Sequence, residues 1–392
     1  MKRFYLDHNA TTPVLPEALE AALPHLTRHF GNSSSFHWAG SVAREAVDTA
    51  REQVAALLCA AREEIIFTSG GTEGNNLALK GVLEAQGGER RHLVISAAEH
   101  ASVFEAARHL EAQGARLTIV PVDGAGRVSA EAVAAAITPD TALVCIHHAN
   151  NETGTLQPVE AIGRACRERG VPFHTDAVQA AGRIPLDLRA LPVDLLSLSG
   201  HKMGGMKGAG VLYARAGAPL VRQTDGGPQE RRRRAGTENV AALVALGVAS
   251  RVALEALPTE PLRLCALRDR LWEGVRARVP DAVRSGDAAH CLPNTLNVRF
   301  PGADGETLLM GLDLEGVAAS AGSACSTGSL EPSRVLLAMG LDRNEARASI
   351  RFSLGPESTD EDVERVIDLL PPLVAGAREA AQAAGGPEAS RL

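Results

Sequence analysis

A chain of 392 residues, 45% of them hydrophobic, is long enough for two domains with separate cores. Its 40 basic and 47 acidic residues give a net charge of -7, which argues against a general nucleic-acid or anionic-membrane surface. No apolar run reaches the roughly 18 residues of a membrane span, and MKRFYLDHNATTPV has no signal-peptide core, so a cytoplasmic location is expected.

In chain order, Phe4-Tyr5-Leu6 reads as a short strand entering a polar turn, and Pro16-Glu17 opens a helix toward Leu26. From about Ser41 to Leu58, Val42, Ala46, Ala50, Val54 and Leu57 recur at helical spacing, with Cys59 expected in the core. The pattern then alternates. Strands are expected at residues 65–67, 93–95, 117–120, 142–146, 171–174 and 195–198, and helices at 73–83, 103–112, 130–137 and 158–168. Such alternation predicts a mostly parallel sheet covered on both faces, with ligands at the carboxyl ends of its strands. A long apolar helix, 239–257, precedes Pro258-Thr259-Glu260-Pro261, which reads as a linker. Helices at 262–279, 306–312, 332–339 and 359–375, with strands at 295–300 and 348–354, predict a smaller α+β unit, and the tail from Ala380 is expected to fray. The basic run Arg231 to Arg234 reads as a solvated or subunit-facing loop, because no second cluster extends it. Six cysteines without CxxC spacing fit a reducing compartment.

Lys202 follows the strand at 195–198 in Ser199-Gly200-His201-Lys202, ahead of a glycine-rich segment and a second apolar run, 211–214. At the mouth of a sheet a lysine is partly out of water, where its neutral amine can form a Schiff base; a polar hairpin turn explains the stretch equally well. Thr68-Ser69-Gly70-Gly71-Thr72-Glu73 joins a strand to a helix, giving either a phosphate seat or a plain helix cap. Asp176 projects from the same sheet edge, with Gln179 one helical turn on, and a buried carboxylate there needs a cation such as a protonated pyridine nitrogen. Pyridoxal phosphate uses these features together: Lys202 for the aldehyde, Asp176 for the ring nitrogen, and Gly71 and Thr72 with Ser199 and His201 for the phosphate.

His100, just after the strand at 93–95, is placed either to stack on such a cofactor or to cap a helix. His147 and His148 are neighbours on a strand and point to opposite faces, so no metal site is expected; Asn151 at that strand's end is better placed to reach a ligand. In 348–354, Ile350, Phe352 and Leu354 share one face and Arg351 takes the other, suited to carboxylate capture or to a structural ion pair. Cys325, within SAGSACSTGS, has no bulky neighbour, which predicts a mobile loop and a travelling nucleophile; Cys291 is the competing exposed thiol.

With these residues assembled, the sequence resembles the cysteine desulfurases of the class V pyridoxal-phosphate enzymes over nearly its whole length. The matching stretches are YLDHNATTPV, FTSGGTEGNN, EHASV, HHANNETG, HTDAVQ, SGHK, GTENV, SAGSACSTGSLEPS and SIRFSLG, and the Cys325 loop is similar to that of the NifS and IscS branch. The resemblance implies the fold type I architecture of pyridoxal-phosphate-dependent transferases. A large α/β domain, 16–257, would carry a mostly parallel seven-stranded sheet, and a smaller α+β domain, 1–15 with 262–392, the mobile loop at about 320–332.

It further implies that Lys202 carries pyridoxal 5'-phosphate, Asp176 pairs with the ring nitrogen, Gln179 bonds the ring hydroxyl and His100 stacks on the ring. Gly71, Thr72, Ser199 and His201 would take the phosphate, with Thr237 reaching across from the other subunit of a homodimer, and Asn151 and Arg351 would hold the substrate carboxylate. Met203-Gly204-Gly205-Met206-Lys207 stands where such enzymes commonly have an aromatic and a proline, and is expected to loosen that turn; Gly226-Gly227-Pro228 also departs from the family pattern. The implied reaction takes sulfur from L-cysteine, giving L-alanine and a persulfide on Cys325 for a sulfur-acceptor protein, such as an iron-sulfur scaffold or a tRNA thiolation protein. Its rivals are another class V reaction, aminotransfer or selenocysteine lysis, and a catalytically silent scaffold.

Overall fold

Apolar strands alternating with amphipathic helices resolve, in a computed structural model describing residues 2–321 and 332–384, into a seven-stranded and a four-stranded sheet with separate cores and a two-stranded pair beside the second. The first part comprises β1 (Phe4–Tyr5), α1 (Pro16–Thr27), α2 (Trp38–Leu57), β2 (Ile65–Thr68), α3 (Gly71–Ala85), β3 (His92–Ser96), α4 (Ala101–Ala112), β4 (Arg116–Val120), α5 (Ala130–Ala136), β5 (Thr141–Cys145), α6 (Val159–Glu168), β6 (Phe173–Asp176), β7 (Leu195–Ser199) and β8 (Gly210–Ala214). Strands β2 to β8 form one sheet, ordered β2-β8-β7-β6-β5-β3-β4, in which only β8 runs antiparallel to its neighbours. Period-two alternation divides the side chains between faces. Leu93, Ile95, Leu143 and Cys145 pack with Leu79 and Val103, while Val94, Val144 and Leu196 pack on the other side with Val54, Ile162 and Leu246. With both faces covered, the central strands are mostly apolar, although β4 reads RLTIV and β6 FHTD.

The rest of the chain adds the short turn α7 (Gln229–Arg232), α8 (Val240–Ala256), α9 (Glu260–Arg278), β9 (Val283–Ser285), β10 (Thr295–Arg299), α10 (Gly305–Leu314), β11 (Val317–Ala318), β12 (Ser320–Ala321), α11 (Arg334–Ala338), α12 (Arg343–Arg347), β13 (Ser349–Ser353) and α13 (Asp360–Ala384). An antiparallel sheet ordered β12-β13-β10-β9 carries the second core, and β1 pairs in parallel with β11, so that Phe4 and Leu6 pack with Val298, Phe352 and Val366. No single helix among the described residues is long and apolar enough to cross a membrane.

Several expectations need correction. Glu260 and Pro261 form the first turn of α9, because a proline there gives up an N–H that has no helical partner anyway; the break from α8 is a 77° bend. Cys59 is half-buried with φ at 51°, the left-handed residue that ends α2, and is not a core residue. Helix α13 continues to Ala384, as a run of good helix formers allows. Cys325 and residues 385–392 lie outside the described residues.

The basic run is only partly solvated: Arg234 pairs through two nitrogens with Glu73 of α3, at 2.7 and 3.1 Å. Glu230, Arg231 and Arg232 all have positive φ, at 45°, 55° and 65°, which costs roughly 1–2 kcal/mol per residue. Offsetting this, the buried Glu230 carboxylate accepts two bonds from Arg51, at 2.7 and 2.8 Å, and one from Phe67 N at 2.9 Å. Replacing Glu230 by Ala leaves the buried Arg51 cation without its anion. We expect a loss of about 3–5 kcal/mol, read as a lower denaturant midpoint at unchanged slope.

Candidate active site

Parallel strands deliver their carboxyl ends to one edge, and a cavity of about 310 Å³ opens there. Gly71 and Thr72 come from the start of α3, His100 from the cap of α4, Asn151 from beyond β5, and Asp176 and Gln179 from the end of β6. Ser199 ends β7, His201 and Lys202 form the turn after it, and Arg351 enters from β13 of the second sheet. Thr237 is exposed and does not line the cavity.

Lys202 Nζ donates to the carbonyls of Asn9, at 2.5 Å, and Ala10, at 2.7 Å. Its turn is tight. Gly204 N donates to Thr12 Oγ1, Leu15 N to Gly204 O and Gly205 N to Gly200 O, while Met203 and Met206 pack on the main core. Hairpin and lysine site are one structure here, since β8 returns antiparallel to β7. Burial, with Lys202 and Lys207 nearby, lowers the His201 imidazole to about 4, and its Nδ1 lies 3.0 Å from Thr11 Oγ1.

Asp176 is 6% exposed; Asn75 Nδ2 donates to its Oδ2 at 2.7 Å and Val178 N to its Oδ1 at 2.9 Å. It pairs with no cationic side chain among the described residues. Gln179 Nε2 donates to Asn9 O, and Arg183 Nη1 donates to Gln179 Oε1. His100 does cap α4, accepting from Ser102 N, while its ring lines the cavity.

Arg351 is 1% exposed and combines the two roles its position allowed. Nη2 pairs with Asp7 at 2.7 Å and Nη1 bonds Asn151 O, yet the buried Nε has no hydrogen-bond partner among the described residues. His147 faces the cavity and bonds Glu99, whereas His148 lines a different cavity, as alternation on a strand requires. Cys291 is half-buried and held by Arg268 and Arg284, whose nitrogens lie 3.0 and 3.2 Å from its sulfur. Sequence reasoning gave no role to Asn9, Ala10, Asn75 or Arg183. Asn75 was within reach, standing one helical turn after Gly71 and thus on the same helix face.

The chain matches the class-V aminotransferase family over residues 4–366. It is 48% identical over 374 residues to a cysteine desulfurase of Trichormus azollae, covering 95% of this chain and 93% of that one. To the cysteine desulfurase IscS of Clostridium botulinum strain Hall it is 44% identical over 380 residues, 96% of each. A solved NifS-like protein superposes with a TM-score of 0.90 at 36% identity, covering 96% of this chain and 100% of that one. The structure of SspA in complex with cysteine gives a TM-score of 0.79 at 37% identity, covering 91% and 100%.

This chain belongs to the class-V aminotransferases, in their NifS/IscS cysteine desulfurase branch. That family implies pyridoxal phosphate, and the cavity of this class-V chain fits it. The N-terminus of α3 has a glycine cap and no side-chain cap, which leaves first-turn N–H groups for an anion. A Cβ on Gly71 would come within 2.5 Å of Val178 Cγ2, so any side chain here must displace Val178 at the cavity wall. The carboxylate of Asp176 offers a place for a cationic ring nitrogen, and Asn75 Oδ1 is buried without a partner beside it.

Gly71→Ala should therefore weaken cofactor retention about tenfold or more, the equivalent of 1–3 kcal/mol of overpacking, when titrated by absorbance with the circular dichroism unchanged. A second expectation concerns acid. Burial lowers His8, His148, His174 and His201 to about 4 from an ordinary 6.5, so the unfolded chain takes up protons that the folded chain refuses. Stability contributed by these rings is complete above 6.5 and is lost as pH falls toward 4. Glu152, pushed up by burial to about 7, works in the opposite sense and offsets one of them. Urea midpoints should fall steadily between neutral pH and that acid limit.

Proposed function

We propose that this protein is a pyridoxal-phosphate-dependent cysteine desulfurase that converts L-cysteine to L-alanine and holds the released sulfur as a persulfide on Cys325. The observation that carries the reading is the meeting, in one cavity, of the Lys202 amine, the Asp176 carboxylate without a cation, and the Arg351 guanidinium with an open Nε. When bound, the cofactor supplies an electrophilic aldehyde and an electron sink for the pair released at the substrate's α-carbon.

Gly71, Thr72, Ser199 and His201 would hold the phosphate, Asp176 the ring nitrogen and Gln179 the ring hydroxyl, with His100 against the ring. Lys202 Nζ would hold the aldehyde and, as a free amine, would be the base placed to take the substrate's α-proton. Asn151 and Arg351 fix the substrate carboxylate, which orients the carbon-sulfur bond toward incoming nucleophile. Cys325, as thiolate, attacks the substrate sulfur: a sulfur-sulfur bond forms, the carbon-sulfur bond breaks, and carbon keeps the pair, becoming the methyl of alanine on protonation. Chain reach supports this assignment. Cys325 follows Ala321 by four residues, a span of at most ~14 Å, and Ala321 lies on the strand beside Arg351.

The sulfur then passes to an acceptor protein. The division into domains 16–257 and 1–15 with 262–392 belongs to the same reading and is supported by the separate cores. A homodimer is supported by the exposed apolar residues Leu19, Leu23, Leu26, Phe36 and Trp38, and by Thr237, which is exposed and does not line its own cavity. Cysteine usage supports a cytoplasmic site.

Incubation of the purified protein with L-cysteine should yield alanine and a Cys325 peptide heavier by one sulfur atom. Cys325→Ala should abolish that gain and keep the cofactor's visible band, and borohydride reduction should label Lys202. Amino-group exchange with a keto acid that survives Cys325→Ala would overturn the reading.

A further inference from the structure

His100 has a place against the cofactor ring in the reading above, but its two ring nitrogens have no part in it. Their protonation follows from the neighbouring donors and acceptors, beginning at Asp176. A carboxylate accepts hydrogen bonds and donates none, so the Asn75 atom 2.7 Å from Asp176 Oδ2 is the amide nitrogen, Nδ2. Turned over, the amide would set two buried oxygens against each other. The second hydrogen of that nitrogen goes to Ser102 Oγ, at 2.8 Å. This hydroxyl oxygen accepts from Asn75, and its own proton is left for His100 Nδ1, also 2.8 Å away. A further donor meets the same ring nitrogen, since Ser102 N lies 3.2 Å from it. An Nδ1 that faces two donors carries no proton, and the proton of the ring sits on Nε2.

We propose that His100 is held in this one tautomer and serves the bound ligand as a fixed hydrogen-bond donor through Nε2–H, not as a proton shuttle, with Asn75 and Ser102 as its positioning residues. The inference rests on the reading of the cavity, which His100 lines, as a cofactor site. A shuttling imidazole gives up the proton on one nitrogen while it keeps a proton on the other. Here the second proton would have to displace both bonds from Ser102 to Nδ1.

Each member of the chain Asp176, Asn75, Ser102, His100 is held from outside it as well. Asp176 Oδ1 accepts from Val178 N at 2.9 Å, and Asn75 is buried on α3. The carbonyl of His100 accepts from Val103 N and Phe104 N, at 2.9 and 3.1 Å, where α4 begins. The carboxylate proposed for the ring nitrogen and the imidazole proposed to lie against the ring are therefore set by one network. A donor fixed in this way needs no reorientation when electron density builds on a ligand atom, which is where a preorganised hydrogen bond is worth most.

The test uses the full-length holoprotein, its histidines labelled with the heavy nitrogen isotope, and the variants His100→Gln, His100→Phe and Ser102→Ala. Nuclear magnetic resonance of the ring nitrogens reads the tautomer, the His100 lines being those lost in either His100 variant. The parent should show Nδ1 without a proton and Nε2 with one. Ser102→Ala removes the hydroxyl and keeps the N–H, so it should move the Nδ1 line while Nε2 keeps its proton. Alanine formation in a single turnover with L-cysteine reads the donor role. His100→Gln can place an amide N–H where Nε2–H stood and should stay within about tenfold of the parent, whereas His100→Phe, a ring without a donor, should be about a hundredfold slower. A proton on Nδ1 of the parent, equal loss in the two His100 variants, or a Phe variant as fast as the parent would overturn the inference. If neither His100 variant folds, the line that moves in Ser102→Ala identifies Nδ1, and the tautomer decides. A parent protein without a visible cofactor band overturns the reading of the cavity, and this inference with it.

Discussion

A carboxylate withdrawn from water at the end of β6 constrains the whole site. Asp176 is buried, and the two bonds it accepts come from neutral donors, Asn75 Nδ2 and Val178 N. Burying an anion is costly unless a cation comes to it, so in the proposed reading Asp176 marks the place of a protonated ring nitrogen. The other proposed contacts follow from the shared edge. An aldehyde would reach Lys202 on the next strand's turn, and a phosphate would reach the N-terminus of α3, because β6, β7 and α3 share one sheet edge.

The N-terminal turn couples this edge to the second core. Asn9 accepts from Lys202 and Gln179 on its carbonyl and from Arg183 and Asn294 on its side-chain oxygen, and it donates from its amide to Asn151 O and Thr295 Oγ1. Its backbone N–H bonds Ser353 Oγ on β13. A buried polar residue with every group satisfied has one acceptable placement, so Asn9 sets the distance between Lys202 and Arg351, although these belong to different sheets. Arg351 is oriented by the same means, through Asp7 and Asn151 O.

Much of this was legible in the chain. Strands buried on both faces leave apolar runs, as at Leu195 to Leu198, and the residues just past those runs, Ser199, His201, Lys202 and Asp176, are the ones the sheet edge gathers. Alternation also oriented Arg351 correctly, since Ile350 and Phe352 are in the second core and the guanidinium is not. Pairing was less legible: the glycine-rich turn after Lys202 allowed the antiparallel return of β8, but hydrophobic period does not state strand direction, so the pairing of β8 with β2 had no signal of its own. Pro261 was misread because proline marks both loops and first helical turns. Asn9 and Ala10 were missed because their partners lie more than 140 residues away in the chain, a separation no local pattern records.

The glycines around Lys202 show why an antiparallel strand belongs at this point. A parallel strand would leave β7 by a long crossover and carry the lysine segment away from the sheet edge. Strand β8 returns at once and pairs on its far side with β2, placing Gly210 opposite Thr68. A Cβ on Gly210 would lie 2.5 Å from Gly70 Cα and 2.8 Å from Leu198 O, so three backbones meet where no side chain fits. That contact sets the phosphate-seating start of α3 directly beside the lysine turn. Glycine at this position therefore serves close approach, and its φ is not in the left-handed range. The distance between the Lys202 turn and the start of α3, the two ends proposed to hold a cofactor, is thus fixed by backbone packing.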